Sequence, residues 1–445
     1  MKIFLDWSAY QDAGMGDAYA DIPKAGGNFA KAVAVCINSH ACEANHDKGV
    51  MCPSYRVTGD ANLSTGGRVR LLKAALNGEL GDKPFADPVL GRAMDLCVSC
   101  KGCKRECENE VDMALIKIEY LAQRTAQYGL SPRARVFAQL PVWLYRWPWL
   151  GSLVAWRNHS STLARLGEKL LGISARRRLP MPAPVSFQAS PASAATDGRE
   201  LVLWVDTFSR YFEPDIADAA LAVLQAAGYR VILAGPAAHS GRPLCCGRTW
   251  LAQGMVAEAQ REARRTLDAL LPHAEAGRPI IGLEPSCLLA LRDEYKALGL
   301  GDAALTVARQ ALLFEEFIAK EHAAKHLRLA FKAPAGQSGP LLVHGHCHQK
   351  AAGAMKSMRK VLKLVPGLSF ELIESSCCGM AGSFGLEAEH ADIALDMAEQ
   401  ALLPKLRDTP EASLLANGFS CRQQIRDVDG RQPVHLAQFL RDALA

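Results

Sequence analysis

This 445-residue chain predicts an α/β protein, with a helical, cysteine-rich N-terminal domain ahead of a duplicated α/β domain. Three observations carry the expectation. Past residue 200, short apolar runs alternate with longer amphipathic ones, the pattern of parallel strands joined by helical crossovers. That half also repeats itself, because three cysteine-bearing motifs recur in the same order. Finally, seven of the 14 cysteines crowd between Cys36 and Cys107, just before a strongly helix-patterned stretch.

The elements follow in order. Residues 1–35 are glycine-rich and irregular until "NFAKAVAV", which reads as a helix. After the cysteines, "VDMALIKIEYLAQRTAQY" places apolar residues at helical spacing behind Asp112. Residues 131–178 hold Trp143, Trp147, Trp149 and Trp156, four of the seven tryptophans. From Arg124 to Arg178 ten Lys and Arg face one acidic residue, Glu168, and Pro141 and Pro148 interrupt any helix. Residues 179–200 are rich in Pro, Ala and Ser and read as a linker. Beyond it "LVLWVD", "RVILAG", "PIIGLEP", "LLVHGH", "LSFELIE" and "SLLANG" read as buried strands. The predicted domains are 1–130, the basic segment 131–178, the linker 179–200, a first lobe 201–335 and a second lobe 336–445.

The repeat aligns "LVLWVDTF" with "LLVHGHCH", "PLCCGRTW" with "SSCCGMAG", and "GLEPSCLL" with "ANGFSCRQ". Cys246 precedes Cys287 by 41 residues and Cys378 precedes Cys421 by 43. The lobes are unequal, since Thr207 stands where the second lobe has Cys347. Each lobe carries adjacent cysteines. Neighbouring Cα atoms lie about 3.8 Å apart, and a relaxed disulfide wants roughly 4.4–6.8 Å. Tandem thiols in the glycine-rich "ESSCCGMAGSFG" therefore point to a metal, with Gly379 and Gly382 allowing close backbone approach.

Composition supports reduced, metal-holding thiols. Apolar and charged fractions of 49% and 22% are ordinary for a globular protein, and a net charge of +5 singles out no partner and no nucleic acid. "MKIFLDWSAYQDAG" has no apolar leader, and no run reaches the length of a membrane span. The chain is expected in the cytoplasm, where disulfides are rare.

"CVSCKGCKREC" sets Cys97, Cys100, Cys103 and Cys107 at C-x2-C-x2-C-x3-C, the bacterial ferredoxin spacing for [4Fe-4S] cubanes. Zinc sites pair two C-x2-C units at longer range. Upstream lie Cys36, Cys42 and Cys52, and Cys52-Pro53 supplies the Cys-Pro end that Cys107-Glu108 lacks. By the ferredoxin exchange, Cys52 completes the set of Cys97, Cys100 and Cys103. Cys107 then joins Cys36 and Cys42, one ligand short, with His40 and His46 nearby in sequence. One cubane with spare thiols is the other reading. In the second lobe Cys347, Cys377, Cys378 and Cys421 form the expected metal site, as iron–sulfur or zinc, with His346 a further candidate. His344 and His348 are read as hydrogen-bonding within the loop. Cys245, Cys246 and Cys287 form the weaker site of the first lobe.

"CVSCKGC", "MCPSYRVT", "PLCCGRTW", "LEPSC", "HGHCHQK", "CCGMAGSFG" and "GFSCRQQI" together resemble the iron–sulfur half of fused flavin/iron–sulfur D-2-hydroxyglutarate dehydrogenases. They also resemble the iron–sulfur subunits of glycolate oxidase and anaerobic glycerol-3-phosphate dehydrogenase. The paired CCG units resemble the cysteine-rich domain of heterodisulfide reductase. The resemblance implies an electron-transfer subunit with a helical ferredoxin-like [4Fe-4S] domain and two CCG lobes. It implies no FAD on this chain, a flavoprotein partner and a quinone or other acceptor. Two rivals are a catalytic CCG centre that reduces a bound substrate and a zinc-bound interaction module. For residues 131–178 there are also two readings. They either lie on the inner face of the cell membrane or form a helical layer over the flavoprotein or the chain's own halves.

Overall fold

The computed structural model describes residues 1–15, 21–44, 49–188, 198–236, 241–333 and 339–445. Its N-terminal part is helical: α1 (Asn28–Ala34), α2 (Pro53–Thr58), α3 (Thr65–Asn77), α4 (Pro88–Asp95), α5 (Gly102–Glu106) and α6 (Met113–Tyr128). Asp112 caps α6, its carboxylate accepting from Leu115 N at 3.0 Å. Ile116 and Tyr120, four residues apart on α6, are buried. The chain start is held by Glu119 on the same helix. Its fully buried carboxylate accepts from Phe4 N (3.1 Å), Leu5 N (2.9 Å) and Trp7 Nε1 (3.2 Å). Those donors replace the water that the charge loses on burial.

Residues 131–178 form α7 (Pro132–Ala138), α8 (Leu140–Arg146), α9 (Leu150–His159) and α10 (Ser161–Leu171). Pro141 sits in the first turn of α8, where a missing N–H costs little, and Pro148 separates α8 from α9. No helix among the described residues is long and apolar enough to cross a membrane. From 179 to 188 the chain packs on the first lobe, with Phe187 buried and its N–H donating to Arg210 O at 2.9 Å. The rest of the expected linker, 189–197, lies outside the described residues.

All six expected strands are present. β1 (Glu200–Trp204), β2 (Arg230–Leu233), β3 (Ile280–Gly282) and β4 (Ala311–Leu313) form a parallel sheet in the order β2-β1-β3-β4. β5 (Leu341–His344), β6 (Phe370–Leu372) and β7 (Leu414–Ala416) form a second parallel sheet in the order β6-β5-β7. The central strands β1 and β5 are apolar runs because both faces are covered. In each sheet the chain leaves the central strand toward opposite sides. That opens a crevice at the carboxyl ends, and the cysteines follow those ends.

β4 is a strand the sequence reading does not contain. Three residues between two helices carry no turn signal and too little period to declare themselves. Its second-lobe counterpart shrinks to one bridge, Leu415 to Val434, which extends the repeat to "QALLFEEF" and "QPVHLAQF".

The lobes share one apolar core that includes Leu201, Ile281, Phe317, Val343, Leu415 and Leu440. A charged clamp closes over it. Glu213 of the first lobe receives Arg422 Nε on both oxygens at 3.1 Å, and Arg426 as well. Burial opposes the Glu213 charge, but the two guanidinium groups outweigh it and hold the carboxyl at about 2 against an ordinary 4.5. A depressed folded-state pKa stabilises above the unfolded value, and the gain disappears as pH falls from about 4.5 toward 2. Glu213→Gln is therefore expected to lower stability by about 3 kcal/mol at pH 7. Urea unfolding should show the gap between variant and wild type closing at pH 3. A gap undiminished there would assign it to packing instead.

Candidate metal centres

The loop from Cys97 to Cys103 and the loop before α2 meet around one cavity. Its wall includes Cys52, Cys97, Cys100 and Cys103. Local backbone chemistry explains the meeting. Ser99 (φ 49°) and Lys101 (φ 61°) adopt the left-handed conformation, which winds the loop inward. Gly102 lies against the second loop, since a Cβ there would stand 2.7 Å from Met51 N. Glu106 ties the loops together by accepting from Val50 N (2.7 Å) and Met51 N (2.9 Å).

The N-terminus of α3 serves two sulfurs. Thr65 N donates to Cys52 Sγ at 3.1 Å and Gly66 N to Cys42 Sγ at 3.2 Å. Free N–H groups at the positive end of a helix favour anionic sulfur. Gly67, next in line, admits no side chain, because a Cβ would lie 1.9 Å from Ala61 O. Burial pushes the Cys100 and Cys103 thiols well up, and neighbouring thiols add to the effect. Such groups become thiolates when a cation sits between them, so the donor set fits a metal cluster. Three cations lie close, Arg68 and Lys101 buried and Lys117 half-buried. Arg68 favours the Cys52 anion, Lys101 lines the cavity, and Lys117 Nζ donates to Cys97 O at 2.5 Å. Sequence reasoning missed Lys117, which sits inside the helical stripe of α6 and reads there as an ordinary solvated lysine.

Cys36, Cys42 and Cys107 form the other neighbourhood, where each of the latter two disfavours the Cys36 anion. His40 is exposed and bonded to Glu43 at 2.7 Å, and Glu43 is held in turn by Ser64 and Arg70. His46 lies outside the described residues.

In the second lobe Cys347 follows β5, Cys377 and Cys378 follow β6, and Cys421 opens the helix Phe419–Val428 after β7. All four are buried. The glycine of the CCG unit is obligatory. Gly379 has φ 85°, and a Cβ would stand 1.9 Å from Ala394 O. The sulfurs are neighbours in a row, Cys347 beside Cys377, Cys377 beside Cys378 and Cys378 beside Cys421, each acting on the next one's charge. Hydrogen bonds from Cys377 draw the Cys347 and Cys378 thiols well down, with His346 helping the first and His344 the second. Burial works against the His346 cation, yet Cys347 beside it and Glu284 beyond raise it to about 9. His346 Nδ1 accepts from His348 N at 3.1 Å and lies 4.0 Å from Cys347 Sγ.

His344 departs from the expectation of simple loop bonding. One edge of its ring meets Ser375, with Nδ1 3.1 Å from Oγ. One of its ring nitrogens, Cys378 Sγ and Cys421 Sγ all lie within 4.8 Å of one another.

The first lobe places Cys245, Cys246 and Cys287 in one hydrogen-bonded row, with Thr207 bonded to Cys245. Among the described residues its thiols have no histidine partner. Cys246 favours the Cys287 anion, but burial outweighs it and lifts Cys287 to about 12. Arg248, next to the first CCG, pairs with Glu294 and lies 3.4 Å from His348 Nε2. That same nitrogen is 2.9 Å from Ser99 O, between Cys97 and Cys100. Lys101 completes the hub by pairing with Glu294 (2.8 Å) and Asp293 (2.6 Å). Loops from all three cysteine sets thus share one buried polar junction.

Residues 32–111 match the family model for a 4Fe-4S dicluster domain, and residues 341–426 that for a cysteine-rich domain. The D-2-hydroxyglutarate dehydrogenase of Pseudomonas putida is 26% identical over 459 residues, covering 90% of this chain. The chain spans 42% of that relative's length. The glycolate oxidase iron-sulfur subunit of Escherichia coli is 24% identical over 433 residues, 92% of this chain and 93% of that protein. One subunit of the anaerobic glycerol-3-phosphate dehydrogenase of Escherichia coli is 24% identical over 294 residues, 63% of this chain and 69% of that one. The cavity of four thiols falls inside the first matched region and the His344–Cys421 group inside the second. The chain is an iron–sulfur protein that joins a 4Fe-4S dicluster domain to a cysteine-rich CCG domain, homologous to D-2-hydroxyglutarate dehydrogenases, to the glycolate oxidase iron–sulfur subunit and to a subunit of anaerobic glycerol-3-phosphate dehydrogenase.

Proposed function

We propose that this chain takes electrons from an FAD-containing 2-hydroxyacid dehydrogenase partner and passes them to a quinone or another acceptor. The partner's substrate would be a D-2-hydroxyglutarate-, glycolate- or D-lactate-like acid. In this reading Cys52, Cys97, Cys100 and Cys103 hold one [4Fe-4S] cluster, and Cys36, Cys42 and Cys107 hold a second. Such clusters, when bound, accept one electron at a time and so divide the pair that a flavin receives. One observation supports this reading above others. Cys100 shares a buried cluster with Cys347 and Cys377, so the N-terminal cavity abuts the second-lobe centre. His348 and Ser99 bond directly across that boundary. Electrons reaching the cavity therefore arrive beside the crevice where open α/β sheets receive ligands. Arg68, Lys101 and Lys117 offset the negative charge of a reduced cluster and favour its reduction.

The test is reconstitution. The purified chain, brown and free of flavin absorbance, is expected to show no turnover of these acids alone. With its flavoprotein it should show cluster reduction by EPR on adding substrate. Substrate turnover by the chain alone would overturn the reading.

The acceptor side carries a second expectation. Trp149, Leu153 and Trp156 repeat at helical spacing along α9 and are 58%, 47% and 63% exposed. Leu166 and Leu170 do the same on α10, beside exposed Arg165 and Lys169. The segment is also tied to the lobes, through Ala138 O to Thr249 and Ser174 N to Leu386 O. One face thus covers the chain itself, and the other offers apolar and cationic groups to an anionic membrane surface. Trp149→Ala with Trp156→Ala is expected to lower flotation with anionic liposomes by about tenfold. Unchanged flotation, or none by the wild type, would assign this face to the flavoprotein.

A further inference from the structure

His344 ends β5, the central strand of the second sheet, and is 2% exposed. Its Nε2 has no hydrogen-bond partner among the described residues. Leaving a buried imidazole nitrogen unpaired is costly unless something else uses its lone pair. Sulfur lies beside the ring, since one of its nitrogens, Cys378 Sγ and Cys421 Sγ all lie within 4.8 Å of one another. The other ring nitrogen is fixed, since Nδ1 is 3.1 Å from Ser375 Oγ. Ser375 Oγ is held in turn by Lys350 Nζ at 3.1 Å. An oriented outer nitrogen with a free inner one is the arrangement of a metal-ligating histidine and its outer-shell partner.

We infer that His344 is a metal ligand, and that with Cys378, Cys421 and one thiol of the Cys347–Cys377 pair it builds a mixed imidazole–thiolate site for a single zinc-class ion. The compactness argues for one ion. Tetrahedral zinc with nitrogen at about 2.0–2.1 Å and sulfur at about 2.3 Å sets its ligand atoms roughly 3.5–3.8 Å apart. Cubane ligands bind four different irons and stand farther apart. His346 stands outside this group, whose mutually close ligand atoms come from His344, Cys378 and Cys421.

The first lobe supplies an internal control. Trp204 ends β1 at the place of His344, and Thr207 replaces Cys347. A tryptophan nitrogen donates only and cannot ligate. With two of the positions changed, the first lobe keeps three thiols without the histidine and the fourth cysteine. The inference concerns the ligand set alone and holds whatever partner or acceptor the chain serves.

The test uses the full chain purified anaerobically. It is expected to contain one zinc besides its iron, and zinc-edge X-ray absorption should show one nitrogen among sulfurs. His344→Gln, which keeps a polar partner for Ser375 but ligates poorly, should lose that zinc and leave the N-terminal cluster EPR signals unchanged. His344→Cys should restore the metal with an all-sulfur shell. Absence of zinc, a sulfur-only shell in the wild type, or full zinc in His344→Gln would overturn the inference. Loss of the cluster signals in His344→Gln would mark misfolding, and the wild-type shell then decides alone.

Discussion

Replacing Cys100 with serine is expected to remove one cluster's worth of iron and to loosen the region around it. Cys100 lines the four-cysteine cavity, is 7% exposed and packs on Val50, Cys347 and Cys377. Serine keeps the shape but not the soft thiolate, and a cluster held by three thiolates exchanges its fourth iron readily. Because metal binding is folding free energy in such small helical regions, the loss reaches beyond one ligand. Short elements here have little else to hold them: α2 spans six residues and α5 five. Iron analysis with EPR should show one signal gone. Hydrogen exchange should show faster opening of α2 and α5 than of α6. An unchanged iron count would remove Cys100 from the ligand set. Cys107→Ser is the paired control and should spare the first signal while altering a second.

The next largest effect is expected from Lys101→Met. Lys101 is 7% exposed at its side chain and holds both Asp293 and Glu294, the latter 4% exposed. Without Lys101 the two carboxylates keep only Lys104 and Arg248, one cation each, and the under-neutralised buried charge costs up to about 3–5 kcal/mol. Burial opposes the charges of Asp293 and Glu294, but Lys101, with Lys104 beside the first and Arg248 beside the second, overcomes this and depresses both carboxyls. Their contribution is therefore present at neutral pH and is lost as acid protonates them. The variant should unfold at lower urea concentration at pH 7 with iron still bound. Asp293→Asn added to Lys101→Met should recover part of the loss, since it removes one of the two carboxylates that Lys101 neutralised. If the double variant is less stable than the single one, the cost lies in packing of the lysine stem.

Much of this molecule is visible in its sequence. The strands of both lobes are apolar runs between helical stretches, and the cysteine repeat shows that the second half is duplicated. The C-x2-C-x2-C-x3-C run and Cys52-Pro53 mark the first cavity, because ligand spacing is a local property. What stays hidden depends on distant parts meeting. β4 is too short to show a period. Glu119 is an ordinary acid in a helix until the chain start folds onto it. Lys101 and Lys117 read as surface charges, and only the packed fold buries the first and half-buries the second. His344 is hidden for a subtler reason: its partners, Cys378 and Cys421, stand 34 and 77 residues downstream, on two other strand ends. The single clue in the sequence is the comparison between lobes, where a tryptophan takes its place.

The contact between His348 and Ser99, 249 residues apart, also bears on how the protein matures. A ribosome releases the head long before it makes residue 348, so the side of the cavity that Cys347 and His348 later cover stays open to scaffold proteins that deliver iron and sulfide. Once the second lobe docks, that entrance shuts. Loading is thus expected to run in the order of synthesis. Full-length apo-protein should take up iron and sulfide slowly in vitro, His348→Ala should take them up faster, and equal rates would show that the entrance lies elsewhere.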